Sequence, residues 1–440
     1  MNIPSTSVLS RRLTPWSAAL FGLSYICPTV VFSTFGILAR ATEGATASAY
    51  ATATAAILLT AGSYARMSAR WPDSGSAYTY VSNTVNDAFG FLAGWLLILD
   101  YFLVPMVICL FTAKACEMIL PHVDYRLWIV LIAAFTTAVN VLGIQVANRV
   151  NLAIAAAQFA VIAILILLCI WTLSPSGRGA QAWTAAPFFN SRTSLPLVMS
   201  GAAVAAYSFL GFDAVTTLAE ETLDPTRSIP RATLFAAAAS GFIYIVCSYF
   251  MGLVHPSIEF RDVDNAGYEI LSAVSGAAFP WLLAIVLCAF VASIMCAQAG
   301  SSRLLYAMAR DGTLPKAALT YVHPRFRTPV TNICLLGAAM IAGIWLDVEA
   351  AASCVNFGAF AAFTAVNLSV IYDHTAGQRA LPGGMLKLAQ AAAGAVATLW
   401  LMASLHRAAL MVGSAWLLAG AVYLMYRRLR SAAEFSHNIP

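Results

Sequence analysis

The sequence predicts an all-α membrane protein with twelve transmembrane helices. Of its 440 residues, 60% are apolar and 10% are charged, whereas a soluble globular domain carries about a quarter charged residues. The mean hydropathy is +0.79, and each crossing of a bilayer needs roughly 20 apolar residues. This composition excludes a secreted domain, a cytosolic enzyme and a disordered regulator.

Twelve apolar stretches, each of a length that suits a helix, account for most of the chain. They cover residues 14–40, 45–66, 88–120, 125–144, 150–173, 196–221, 232–254, 278–309, 329–347, 350–372, 383–404 and 408–427. The alternating pattern of an outer-membrane barrel is absent from the sequence. We therefore expect a single transmembrane domain over residues 14–430, with short tails at 1–13 and 431–440. The longer connectors at 174–195 and 255–277 are predicted to contain short surface helices.

The distribution of basic residues predicts the orientation of this domain. Most of the 24 Lys and Arg residues fall on one side of the membrane if the N-terminus is placed in the cytoplasm, and cytoplasmic connectors are the ones that carry such residues. Both termini are therefore expected to face the cytoplasm. Residues 1–15 lack a hydrophobic core followed by a cleavage site, so the first apolar stretch is interpreted as a retained span.

Two of the spans are predicted to be interrupted. The first contains Pro28 near its middle, and a proline there removes a backbone hydrogen bond. The sixth contains Gly211 and then Asp213 within an apolar run. These spans occupy equivalent positions if spans one to ten form two five-helix repeats of opposite topology followed by two further helices, over residues 14–173, 196–372 and 383–427. Interrupted helices at matching positions indicate a transporter binding site.

Two acidic residues inside the spans are candidates for holding a cation or a proton. Asp100 lies near the middle of the third span, and Asp213 follows the break in the sixth. An unpaired charge at this depth costs at least a few kcal/mol. Burial favours the protonated carboxyl, whereas a bound ammonium favours the charged form, so one residue could exchange a proton for a cationic substrate. For Asp100, a purely structural role as a hydrogen-bond anchor remains an alternative.

The predicted substrate site joins these acids to the residues of the two breaks and to nearby aromatic side chains. Its members are Tyr25, Cys27, Pro28, Thr29, Asp100, Tyr101, Tyr207, Ser208, Gly211, Phe212 and Asp213. Acids, main-chain carbonyls and aromatic faces all suit an ammonium group. A substrate carboxylate instead needs free backbone N–H groups, and Pro28 has none to offer.

Charged residues also cluster at the expected cytoplasmic end of the sixth span. Glu220, Glu221 and Asp224 lie close in sequence to Arg227 and Arg231. We expect these side chains to form a solvated group of ion pairs, and Glu220, Glu221 and Arg227 are the candidates for an inner gate.

Several long motifs resemble those of the amino acid–polyamine–organocation transporters. They are SGSAY at 74–78, SFLGFDAVTTLAEET at 208–222 and SRLLYAMARDG at 302–312. The resemblance implies the LeuT-like fold of two inverted five-helix repeats with two extra C-terminal helices. It also implies secondary transport, with Tyr207 matching a gating aromatic residue and Asp213 matching an acid that senses substrate or protons.

Within that family the chain is most similar to bacterial putrescine importers. The shared motifs are GLSY at 22–25, LDY at 99–101, NFGA at 356–359 and VNLSV at 366–370. This resemblance implies uptake of putrescine with protons across the bacterial inner membrane. Gln158 stands where several proton-coupled relatives carry a lysine, which adds it to Asp213 and Asp100 as a candidate for proton coupling.

One departure from the importers leaves a second function open. Ser33 stands where these importers tend to carry an acid, and this favours a permease for neutral or aromatic amino acids. In either case the expected partners are a small-molecule substrate, protons and the lipid bilayer. No metal-ligand or nucleophile–base pattern occurs, so we expect no enzymatic activity and no cofactor or metal. Neither nucleic acid nor an obligatory protein partner is expected.

Overall fold

Helices form nearly all of the part of the chain that the computed structural model describes, residues 12–120, 122–174, 183–263, 265–345, 348–376, 384–405 and 407–437. Numbered in chain order, they are α1 (Pro15–Ile26), α2 (Val31–Ala41), α3 (Thr46–Arg70), α4 (Ala77–Thr84), α5 (Asp87–Ile119), α6 (Tyr125–Val141), α7 (Ile144–Leu173), α8 (Leu195–Ala206), α9 (Pro225–Val254), α10 (Ala266–Ser275), α11 (Phe279–Arg310), α12 (Lys316–Leu319), α13 (Val330–Ala342), α14 (Val348–Thr375), α15 (Gly384–Ala403) and α16 (Arg407–His437). Within these ranges, β-type pairing is limited to one isolated bridge between Leu13 and Thr222.

The helices confirm the predicted all-α membrane architecture. Among the described residues, nine segments are long and apolar enough to cross a membrane. Two shorter apolar helices, Tyr125–Val141 and Val330–Trp345, and the more polar α3 lie at the remaining predicted spans. The connector at 255–277 contains α10 as expected. The last helix, α16, continues to His437, so it includes most of the segment expected to be a tail.

Polar side chains mark where several helices begin. Thr14 accepts a hydrogen bond from the N–H of Ser17 at 3.2 Å, and Pro15 follows at the first helical position. Asn86 accepts from the N–H of Phe89 at 3.0 Å at the start of α5. These contacts satisfy N–H groups that the first turn of a helix leaves without a partner.

Both predicted interruptions are present. After α1, Cys27 adopts a left-handed conformation with φ 52°, and a 3-10 turn over Pro28–Val30 leads into α2. After α8, Gly211 has φ +101°. The sixth span then continues as a 3-10 helix over Asp213–Glu221. The left-handed conformation strains a residue that carries a Cβ, so Cys27 is held there by its surroundings.

The broken segments lie between two groups of packed helices. On one side α3 packs along α9, and on the other side α5 packs against α11 and α14. Phe212 contacts Tyr64 of α3, with ring centroids 5.5 Å apart, whereas Asp213 bonds to Tyr101 of α5. The close approach of α14 to α5 requires glycine, because a Cβ at Gly358 would lie 2.6 Å from a carbonyl oxygen of α5.

Candidate functional site

Two buried carboxyl groups lie in the interior near the second break. Asp100 and Asp213 are 1% and 0% exposed, and they are close enough to interact electrostatically. Oδ2 of Asp213 accepts a hydrogen bond from the hydroxyl of Tyr101 at 2.7 Å. In the described part of the chain, Oδ1 of Asp213 and Oδ1 of Asp100 have no hydrogen-bond partner. Both acceptors are therefore available to a ligand.

The described residues provide no positive charge for these acids. Arg70, Arg192, Arg227, Arg303 and Arg310 form ion pairs in that part of the chain, each with acids other than Asp100 and Asp213. Burying a carboxylate without a counter-charge costs several kcal/mol. The two acids therefore require either protons or a bound cation. No group of metal-ligating side chains is found in the described ranges either.

Aromatic rings surround the two carboxyl groups. The ring centroids of Tyr25 and Tyr101 lie 6.3 Å apart. Tyr25 also lies against the second break, since a Cβ at Gly211 would be 1.8 Å from its ring. The hydroxyl of Tyr25 is buried and has no partner among the described residues. The half-buried Tyr207 is near enough to Asp100 and Tyr25 to interact with both. The structure thus brings Tyr25, Tyr101 and Tyr207 together near the two acids.

The breaks leave main-chain carbonyls without helical hydrogen-bond partners, and side chains from neighbouring helices donate hydrogen bonds to them. The Ser293 hydroxyl donates to the carbonyl of Tyr25 at 2.6 Å. The Tyr244 hydroxyl donates to the carbonyl of Ser208 at 2.7 Å. These carbonyls, which we expected to face the substrate, each already accept one bond. Ser293 and Tyr244 were not predicted, because a single polar residue in an apolar span gives no sign of its partner.

Other predicted site residues instead contact neighbouring side chains around the two breaks. The Cys27 Sγ lies 3.2 Å from the Thr29 hydroxyl and 3.6 Å from Nε2 of Gln158. Ser208 has its hydroxyl 3.4 Å from that of Tyr50. Phe212 is fully buried, with its ring centroid 5.0 Å from that of Phe363. These contacts brace the breaks beside the two acids.

The predicted inner gate requires a correction. Glu221 forms two hydrogen bonds with Arg303, at 2.9 and 3.2 Å, and both side chains are buried. Glu220 contacts Nη1 of Arg310 with both of its oxygens, at 3.0 and 3.1 Å. Arg227 is exposed and only approaches Asp224, at 4.0 Å. We expected a solvated group of ion pairs here, but Glu220 and Glu221 are buried. Their partners come from α11, because α9 begins next to Arg227 and carries it outward.

A short loop and the N-terminal segment hold the same end of the bundle together. Ser74 and Glu220 bond reciprocally, main chain to side chain, at 3.3 and 3.4 Å. The N–H groups of Arg12 and Leu13 both donate to the carbonyl of Glu221 at 2.9 Å. We call this end, with Leu13, Ser74, Glu220, Glu221, Arg303 and Arg310, the arginine end. In this structure its contacts join the loop after α3, the sixth span and α11.

The sequence is similar to known permeases and importers. A family model described as "Amino acid permease" matches residues 18–429. The low-affinity putrescine importer PlaP of Escherichia coli (strain K12) is 36% identical over 429 residues, covering 96% of this chain and 95% of its own. The branched-chain amino acid permease BcaP of Bacillus subtilis (strain 168) is 27% identical, covering 82% of this chain and 81% of its own.

A solved structure supports the fold. It is the substrate-bound outward-open state of a Na+-coupled sialic acid symporter, with a TM-score of 0.57 and 12% identity. The alignment covers 88% of this chain and 89% of the symporter chain. The arrangement of helices expected for a LeuT-like transporter is thereby confirmed.

Proposed function

The chain belongs to the amino acid permease family, and on this premise we propose that it imports a small organic cation, putrescine or a similar diamine, together with protons. The observation that carries the proposal is the pair of buried carboxyl groups, Asp100 and Asp213, that have no cationic partner in the described part of the chain. Each of them needs a proton or a bound ammonium for its charge to be tolerated there. An ammonium group of the substrate would pair with one acid while the other acid carries a proton.

The surroundings of the two acids favour a ligand without a carboxylate. Pro28 has no N–H, and the Thr29 hydroxyl is engaged with Cys27, so the first break offers little to a negative group. The rings of Tyr25 and Tyr101 offer faces on which an ammonium or its methylene chain can lie. A relative 36% identical to this chain is a putrescine importer, which supports the same substrate.

The arginine end supplies one of the two gates that alternating access requires. The pairs Glu221–Arg303 and Glu220–Arg310 hold it together, and the distribution of basic residues assigns it to the cytoplasm. On the opposite side of the acids, Tyr207 is half-buried. Substrate and protons would enter past Tyr207, and the ion pairs would separate to release them. These features support a multi-pass protein of the bacterial inner membrane with both termini in the cytoplasm.

A permease for neutral or aromatic amino acids is the second candidate, and Ser33 is the observation that favours it. Its hydroxyl lies 3.2 Å from that of Tyr268, which makes a neutral pair where putrescine importers tend to carry an acid. Fewer carboxylates near the entrance reduce the attraction for a second ammonium group. Competition between substrates separates the two candidates.

The test is uptake of radiolabelled putrescine into proteoliposomes, with and without an inward proton gradient. We expect accumulation only with the gradient, and we expect unlabelled putrescine, but not alanine, to compete. Asp213→Asn should reduce uptake to background. Asp224→Asn, which changes an exposed acid near the same span, should leave uptake unchanged and serves as the matched control.

Each part of the proposal has its own contrary result. Uptake that alanine inhibits and that excess unlabelled putrescine does not inhibit would establish the second candidate. Accumulation of putrescine without regard to the proton gradient would remove proton coupling. Near-normal uptake by Asp213→Asn would remove that carboxyl group from the mechanism.

A further inference from the structure

Two stacked tyrosines contact both breaks, although neither was among the predicted site residues. Tyr50 of α3 and Tyr244 of α9 are both 0% exposed. Their rings stack with centroids 5.0 Å apart and an interplanar angle of 22°, and such stacking is favourable beyond the area that it buries. The helices that carry them pack along each other. We call these two residues the tyrosine pair.

Each hydroxyl of the tyrosine pair makes a short hydrogen bond to one broken span and a longer contact to the other. The Tyr50 hydroxyl lies 2.6 Å from that of Thr34 in the first span and 3.4 Å from that of Ser208 in the sixth. The Tyr244 hydroxyl donates to the carbonyl of Ser208 at 2.7 Å, and it lies 3.4 Å from the carbonyl of Ile26 at the end of α1. The two broken spans are therefore linked twice, with the short and long contacts reversed.

The number of hydroxyl protons fixes the direction of the hydrogen bonds around Tyr50. Thr34 donates its single proton at 3.1 Å to the carbonyl of Val30, which is the last residue of the 3-10 turn at the first break. When all three contacts form together, Tyr50 must donate to Thr34, and Ser208 must donate to Tyr50. The result is one directed chain of hydrogen bonds from the second break to the first. Since its side chains are buried, a missing hydroxyl would leave its neighbour without a partner.

The tyrosine pair holds parts of the chain that belong to the candidate site. Ser208 and the turn Pro28–Val30 lie at the two breaks, where the backbone lacks the regular hydrogen bonds of a helix. We propose that the tyrosine pair consists of positioning residues, which hold the two breaks at the separation that substrate binding requires. The inference rests on the proposed function, which places the substrate between the breaks. The short bonds anchor one break each, and the longer contacts shorten when a substrate draws the breaks together.

The test is equilibrium binding of labelled putrescine to the purified protein, with thermal unfolding measured in parallel. Tyr50→Phe and Tyr244→Phe remove the hydroxyls and keep the stacked rings. Each should weaken putrescine binding about tenfold, the scale of one hydrogen bond. The double variant should also lose about tenfold, and not about 100-fold, because the effects of residues that act as one unit are not additive.

Matched variants separate positioning from packing. Thr34→Ser keeps the hydroxyl that Tyr50 contacts and should retain putrescine binding. Thr34→Val has nearly the same shape as the natural residue but no hydroxyl, and it should weaken binding about tenfold. Tyr80→Phe removes a buried hydroxyl that has no hydrogen-bond partner among the described residues, so it should leave binding unchanged.

A lower thermal midpoint with unaltered putrescine affinity would overturn the inference in favour of a packing role. Full additivity in the double variant would also overturn it, since the two hydroxyls would then act separately. If a tyrosine variant does not fold, the comparison of Thr34→Ser with Thr34→Val decides. An unaltered protein that binds alanine in place of putrescine would contradict the proposed substrate, and the same variants measured with labelled alanine would still decide the inference.

Discussion

Glu221→Gln is expected to open the arginine end far more than Glu220→Gln does. Glu221 and Arg303 are joined by two hydrogen bonds, at 2.9 and 3.2 Å, and their side chains are only 2% and 4% exposed. Breaking a buried pair by removing one charge costs about 3–5 kcal/mol, because the other charge stays uncompensated. In Glu220–Arg310 the glutamate is 7% exposed but the arginine is 37% exposed. Water therefore screens this pair more, and we expect its loss to cost about 1 kcal/mol, the upper end for exposed pairs.

These energies translate into different populations of the open gate. A loss of about 3 kcal/mol in the closed state alone raises the open population on the order of 100-fold, since 1.36 kcal/mol corresponds to a factor of ten. A loss of about 1 kcal/mol raises it roughly fivefold. The two glutamates are adjacent and carry the same charge, so Glu220→Gln is a matched control for Glu221→Gln.

Labelling of Cys27 measures this opening. Cys27 is 2% exposed and lies beside the candidate site. In a variant that keeps only this cysteine, a membrane-impermeant thiol reagent is added to each face of oriented vesicles in turn. Glu221→Gln should accelerate labelling on the order of 100-fold from one face alone. Equal effects of the two substitutions, or faster Cys27 labelling from both faces, would refute the assignment. The Glu221–Arg303 ion pair would then not be the main contact that closes one gate.

Three further predictions concern the breaks and the loop beside the gate. Gly211→Ala should abolish putrescine uptake, because the new methyl group would clash with the Tyr25 ring and the backbone φ there is +101°. The control Gly276→Ala, at φ +53° with open space around it, should retain uptake. Tyr244→Phe leaves a carbonyl of the second break without its donor, which should cost about 1–3 kcal/mol and lower the midpoint of thermal unfolding. Asp73→Asn should stabilise the protein at neutral pH, because burial raises the pKa of Asp73 and charging it opposes folding; the difference in thermal midpoint should vanish at a pH below the ordinary aspartate pKa.

The positions of the two breaks could be predicted because their causes are local. Pro28 removes a hydrogen bond wherever it occurs in a helix. Gly211 permits a backbone conformation that other residues resist. The burial of Asp100 and Asp213 also followed from their positions, one near the middle of the third span and the other just after the break in the sixth. Local chemistry and distance along a helix axis were sufficient for these features.

The partners of the charged gate residues could not be predicted in the same way. Arg227 is closer in sequence to Glu221 than Arg303 is, but it points outward from the start of α9. Arg303 is 82 residues away from Glu221 and reaches it because α11 passes beside the 3-10 segment of the sixth span. The direction that a side chain faces in the bundle depends on how neighbouring helices pack, and proximity in sequence does not determine it.

By itself, the sequence determined the membrane-spanning helical class, the two interruptions and the acids beside them, because hydropathy, proline, glycine and charge act on the chain within a few residues. Only the tertiary structure decided that Asp213 bonds to Tyr101, and that Ser293 and Tyr244 donate hydrogen bonds to the released carbonyls. These contacts join residues from different helices. Their geometry is fixed by packing among many side chains at once, which no short stretch of sequence contains.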